Sequence, residues 1–171
     1  MASKIIGNIN SNEELSKKYA EMKARGLSEV VALSRLEAQR VRIRKTTDKG
    51  SEVAIVLESS RPLRRGDILQ INDEEFIEVE IEPEDVAVIK IEDDDEDSRH
   101  RFETAVRVGH VLGNLHRPIR VEDSAIYVPI QAESEVELLS KRLSRVSHHV
   151  NVTKSRIIFE PDEGADEHTH A

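Results

Sequence analysis

The chain has 171 residues, with 34 acidic side chains against 25 basic ones and a formal charge of −9 at pH 7, which excludes the broad basic face that DNA or RNA binding requires. It contains no cysteine, and this removes disulfides, thiolate catalysis and cysteine-bound zinc or iron–sulfur sites. Aromatics are few, with no Trp, no stretch approaches the ~20 apolar residues of a membrane span, and no signal pattern opens the chain. The expectation is a soluble cytoplasmic protein.

The first 40 residues read mainly as helix and connector. Ser11-Asn12-Glu13-Glu14 offers a cap with early acidic residues, Leu15, Tyr19 and Met22 follow at helical spacing, and Gly26 stops the helix. From Val41 the rhythm changes to period two: Val41, Ile43 and Lys45, a turn at Thr46 to Gly50, then Val53, Ile55 and Leu57, which is the pattern of a hairpin. Arg65-Gly66-Asp67 turns the chain into Ile68, Leu69 and Ile71, and Asn72 to Glu75 turns it into Phe76, Ile77, Val79 and Ile81. Residues 1–83 are thus expected to form a β-rich domain with a helical insertion.

Val86, Val88, Ile89 and Ile91 supply the next strand, and the five consecutive carboxylates Asp93 to Asp97 are expected to be a solvated loop tip. Phe102, Ala105, Val106, Gly109 and Leu112 recur at three- and four-residue steps, predicting a helix from near Ser98 to about Gly113. Ile119 and Val121, then Ile126, Val128 and Ile130, form two strands joined at Glu122-Asp123-Ser124. Ser134 with Glu137 reads as a capping box for a helix through Leu139, Leu143 and Val146, before a last strand from Val150 to Phe159. The fold class is therefore α+β. A β-rich N-terminal domain is followed by a ferredoxin-like βαββαβ domain at 84–160, whose core takes up nearly all the apolar residues, and by an acidic tail at 161–171 expected to be disordered.

No phosphate loop, nucleophile elbow or His-Glu-x-x-His helix is present, so catalysis has little support. The seven histidines are the remaining chemistry, because imidazole suits nickel, copper and zinc where thiolates are missing. His116 follows Gly113-Asn114, where a helix can end and lift the ring onto a rim; the same position also serves a histidine that merely finishes the helix. His110, one turn before Asn114, reads either as a second ligand or as half-buried packing. His148 and His149 read as residues at a helix C-terminus, where the dipole favours protonated imidazole. His168 and His170 stand two apart in the acidic tail, a composition suited to weak metal capture.

Five segments together resemble the UreE family of urease accessory proteins, the nickel metallochaperones of urease maturation. They are Lys4-Ile5-Ile6-Gly7-Asn8-Ile9, Arg44 to Val53 in the hairpin, Leu63-Arg64-Arg65-Gly66-Asp67-Ile68-Leu69, Pro83 to Ile89, and Leu112-Gly113-Asn114-Leu115-His116. The resemblance implies a peptide-binding-type N-terminal domain and a metal-binding C-terminal domain that dimerises, with the motif histidine of each chain, here His116, meeting across a twofold axis to hold one Ni²⁺. It implies delivery to apo-urease through the urease accessory GTPase, with His168 and His170 completing the coordination and Zn²⁺ or Cu²⁺ as possible occupants in vitro. Many members carry a histidine directly before Leu-Gly-Asn, whereas this chain has Val111 there and His110 one place earlier, about 100° away on a helix. Auxiliary histidines that some members carry before the last helix are absent from Val128 to Ala132. The rival expectation is a metal-independent protein–protein interaction module; a metal-assisted hydrolase around His110 and His116 comes third, lacking a third ligand and a base.

Overall fold

In the computed structural model, which describes residues 2–57, 61–70, 75–92 and 98–161, the side chain of Asn12 accepts from the Leu15 amide at 3.0 Å and opens α1 (Glu13–Ala24). Glu13 and Glu14 lie in the first turn, where the helix dipole favours them. Leu15 and Tyr19 bury one face of α1 against Ile68 and Phe76. The Tyr19 hydroxyl donates to Glu78 Oε2 at 2.7 Å, and burial together with that carboxylate pushes its pKa up. The chain divides into two compact units, Met1–Glu82 and Pro83–Ala171.

The first unit adds β1 (Ala2–Asn8), β2 (Ser28–Leu33), α2 (Arg35–Ala38), β3 (Arg42–Thr46), β4 (Glu52–Val56), β5 (Asp67–Gln70) and β6 (Phe76–Ile81). They form one mixed sheet in the order β2-β6-β5-β1-β4-β3, parallel at β2/β6 and β1/β4. The predicted hairpin is β3–β4, closed by the Thr47 amide on Ser51 O at 2.9 Å. Asp48 in its turn binds β2, accepting from the Val30 amide at 2.7 Å. The expectation of helix and connector up to residue 40 is corrected: β1 and β2 are strands. β1 is irregular, with its register shifting between Ile5 and Gly7. β2 is an edge strand paired in parallel with β6, and its Val30-Val31-Ala32-Leu33 run carries no alternation of residue type, although only Val31 and Leu33 of that run are buried.

Gly66 takes φ +81°, and a Cβ there would lie 2.5 Å from Asn10 Nδ2, so the turn before β5 requires glycine. The next residue, Asp67, is wholly buried, and its carboxylate accepts from Asn8 Nδ2, Arg61 Nη2 and the Arg64 amide at 2.8–2.9 Å. A capping box forms at Ser34 and Glu37, which also binds Lys45 Nζ at 2.8 Å. The Lys45 ammonium and the Ser34 amide hold the Glu37 carboxyl down to about 2. A depressed carboxyl stabilises the fold above its ordinary value of 4.5 and loses that contribution as the pH falls toward about 2. Glu37→Gln is therefore expected to cost about 1 kcal/mol at pH 7, discounted for partial exposure, and almost nothing near pH 2. Urea unfolding across that pH range measures the difference.

The second unit is β7 (Glu84–Ile91), α3 (Ser98–Gly113), β8 (Arg120–Glu122), β9 (Ala125–Pro129), α4 (Ser134–Leu143) and β10 (Val150–Ile157). Its sheet order β10-β7-β9-β8 is antiparallel throughout, which is the ferredoxin-like arrangement. β7 is central and buried on both faces: Ala87 and Ile89 meet Val108 and Leu112 of α3 and Leu139 and Leu143 of α4, while Val86 and Val88 meet Phe159. Asp123 and Ser124, both at positive φ, make the two-residue turn between β8 and β9. The capping box read at Ser134 and Glu137 does not form. The cap position is Glu133, without a side-chain hydrogen bond, and Glu135 instead accepts from the Gln131 and Ala132 amides. The helix ends at Leu143 rather than Val146. The acidic run at 93–97 and the tail at 162–171, expected as loop tip and disordered tail, lie outside the described residues.

Candidate metal centre

The end of α3 decides how His116 is presented. Leu112 is buried at 1% exposure in the core of the second unit, and Leu115 packs against that core. The amides of Asn114, Leu115 and His116 turn back onto the carbonyls of His110, Leu112 and Gly113 at 3.0–3.1 Å. His116 itself then adopts φ +49°, a left-handed conformation in which histidine is enriched among non-glycine residues. The positive φ falls on the histidine itself and not on Gly113 or Asn114 before it.

One residue further on, Arg117 fixes the chain again. Its guanidinium donates to Pro129 O at 2.9 Å and pairs with Glu135 at the start of α4. Burial pushes the Glu135 carboxyl up, but the Gln131 amide and the Arg117 guanidinium outweigh it and hold the group below its usual range. His116 is thus an exposed imidazole between a core leucine and a clamped arginine, set by backbone on both sides. The Arg117–Glu135 clamp carries no recognisable motif, which is why it was not legible beforehand.

His110 is exposed, contrary to the half-buried packing considered for it. Asn114 Nδ2 lies 3.2 Å from its Nε2, so the amide donates to a ring one turn before it on α3. His168 and His170 lie outside the described residues. Among the described residues no group of three His, Asp or Glu side chains converges as a metal cage.

The outward face of α3 is a second feature of this region. Phe102 is 69% exposed and Val106 55% exposed, and Gly109 and Gly113 continue the same side of the helix at steps of three and four. The expectation that core packing absorbs nearly all the apolar residues is corrected here: of the predicted series, only Leu112 is buried. A Cβ at Gly109 or Gly113 would meet nothing within 4 Å. Each glycine costs the helix about 1 kcal/mol relative to alanine, and no steric need within the described chain offsets it.

Family models match the whole chain in order: the N-terminal domain of the UreE urease accessory protein over residues 2–82 and its C-terminal domain over residues 84–171. The chain belongs to the UreE family. It is 28% identical to the urease accessory protein UreE of Natronomonas pharaonis, over 97% of this chain and 78% of that protein. It is 31% identical to UreE of Streptococcus thermophilus over 73% of this chain and 84% of the relative. With UreE of Ralstonia nicotianae the identity is 35% over 76% of this chain but 54% of that protein. UreE proteins are non-catalytic accessory proteins of urease, so the hydrolase reading is set aside. No helix among the described residues is long and apolar enough to cross a membrane.

Proposed function

We propose that this UreE protein is a cytoplasmic, homodimeric Ni²⁺ carrier that loads apo-urease through the urease accessory GTPase. The observation that carries the proposal is the exposed, backbone-fixed His116 at the end of a helix whose outward face is apolar and glycine-notched. A twofold axis along that face brings the same residue of two chains together. The glycines let the helix backbones approach, and Phe102 and Val106 leave water. Two imidazoles and water make an open site, as a carrier that must release its cargo needs. His168 and His170 of the tail complete the coordination in this reading, and His110 joins only if its Nε2 releases Asn114. Imidazole affinity alone would favour copper over nickel, so the selection of nickel rests on availability and partners.

The test is a calorimetric Ni²⁺ titration with the oligomeric mass measured on the same sample. The expected result is a dimer taking about one tight ion per two chains. The double variant Phe102→Glu and Val106→Glu changes only exposed side chains and is expected to yield folded monomers that lack the tight site. A wild-type monomer, or tight binding that survives in the monomeric variant, would favour the metal-independent interaction module.

A further inference from the structure

His100 and His149 were not read from the sequence as partners, since 49 positions separate them. The structure brings their rings to a centroid separation of 5.6 Å with the planes at 87°. His100 lies in the first turn of α3, and His149 immediately precedes β10. The reading of His149 as a residue of a helix end is corrected, because α4 stops six residues earlier. Its backbone is held on both sides: its amide donates to Ser147 Oγ at 3.2 Å and its carbonyl accepts from the Glu92 amide at 2.6 Å. The Glu92 side chain is itself anchored by Asn151 Nδ2 at 2.8 Å. Both rings are exposed, and each is carried by a regular element or its immediate flank.

We propose that His100 and His149 form a second site for an imidazole-binding divalent transition cation, separate from His116. A metal–nitrogen bond of about 2.0–2.1 Å places a ring centroid roughly 3 Å from the ion, so two imidazoles on one ion have centroids about 4.5–6 Å apart. The observed separation of 5.6 Å falls in that range. The rise along α3 puts the first turn roughly 20 Å from the helix end that carries His116, so one ion cannot bridge the two sites within a chain. Among the described residues no third His, Asp or Glu side chain joins the pair. The positive end of the helix dipole opposes a cation there. That opposition makes the site weak and exchangeable, suited to a cation in transit rather than to a structural ion.

The proposal does not depend on the dimer site, and its test removes that site first. The 171-residue chain carrying His116→Ala, His168→Ala and His170→Ala is titrated with Ni²⁺ by equilibrium dialysis, with paramagnetic broadening of the remaining imidazole resonances followed by NMR. The expected result is about one weakly held ion per chain, broadening His100 and His149 before His110. Adding His100→Ala or His149→Ala is expected to weaken uptake at least about tenfold, whereas His148→Ala leaves it within about twofold. All of these positions are exposed, and a thermal melt confirms that each variant is folded. Uptake that persists without His100 and His149, broadening that starts elsewhere, or no uptake at all would reduce the pair to an aromatic contact and overturn the site.

Discussion

His116→Ala is expected to lower Ni²⁺ affinity at least about 100-fold, because in a twofold-symmetric site one substitution removes a ligand from each chain. The left-handed backbone at this position, φ +49°, adds a second and separable effect. Alanine there carries a strain of about 1 kcal/mol, which asparagine tolerates better and glycine does not have. His116→Ala, His116→Asn and His116→Gly should therefore lose nickel alike while their unfolding free energies rank glycine first and alanine last. Calorimetry and urea unfolding on the three variants separate ligation from helix termination. If all three keep tight nickel, His116 serves only to end α3, and the carrier proposal loses its centre. Because imidazole must be neutral to ligate, tight binding should also weaken as pH falls through the ordinary histidine range, about 6.5.

The parts legible in the sequence are those where one face of an element meets one core. The hairpin β3–β4 alternates cleanly, and the order of elements from β7 to β10 follows the apolar rhythm and the turns. β2 hides its alternation for a chemical reason: only Val31 and Leu33 of the Val30-Val31-Ala32-Leu33 run are buried, but the residues between them are apolar too, so the run shows no period of two. The α3 series misled for a related reason. Thr104, Val108 and Leu112 make the buried side, while Phe102, Val106 and Gly109 make an exposed side that is also apolar or small. Periodicity finds such a helix without saying which face is inside.

Local motifs divide in the same way. Ser34 and Glu37 make the reciprocal cap, whereas Ser134 and Glu137, at identical spacing, do not, because Glu133 takes the cap position and Glu135 binds the amides before α4. Spacing permits a capping box; the residues that enter the turn decide it. His116 was legible because its surroundings form a compact motif of five consecutive residues. The pairing of His100 with His149 depends on how α3 and β10 come together, and nothing local to either residue announces it.

Leu112→Ala should produce the largest loss of stability among residues of that motif, about 2–5 kcal/mol. Leu112 is 1% exposed and packs with Val108, Leu139 and Leu143 against β7, so truncation removes buried methyl groups and leaves a cavity under the last turn of α3. The functional consequence follows from position: the Leu115 amide bonds to Leu112 O at 3.0 Å, and Leu115 is the residue before His116. Loosening Leu112 frees the turn that sets the imidazole, although the ligand itself is untouched. The expected signature is a variant that keeps all seven histidines, unfolds at lower urea, and binds Ni²⁺ roughly tenfold more weakly even where it is fully folded. Leu112→Met, which conserves volume, should cost under about 1.5 kcal/mol and restore most of the affinity. Amide hydrogen exchange at residues 112–116, compared with that in β9, locates the loosening. Full nickel affinity in a destabilised Leu112→Ala protein would show that Arg117 and its Glu135 clamp hold His116 without help from the core.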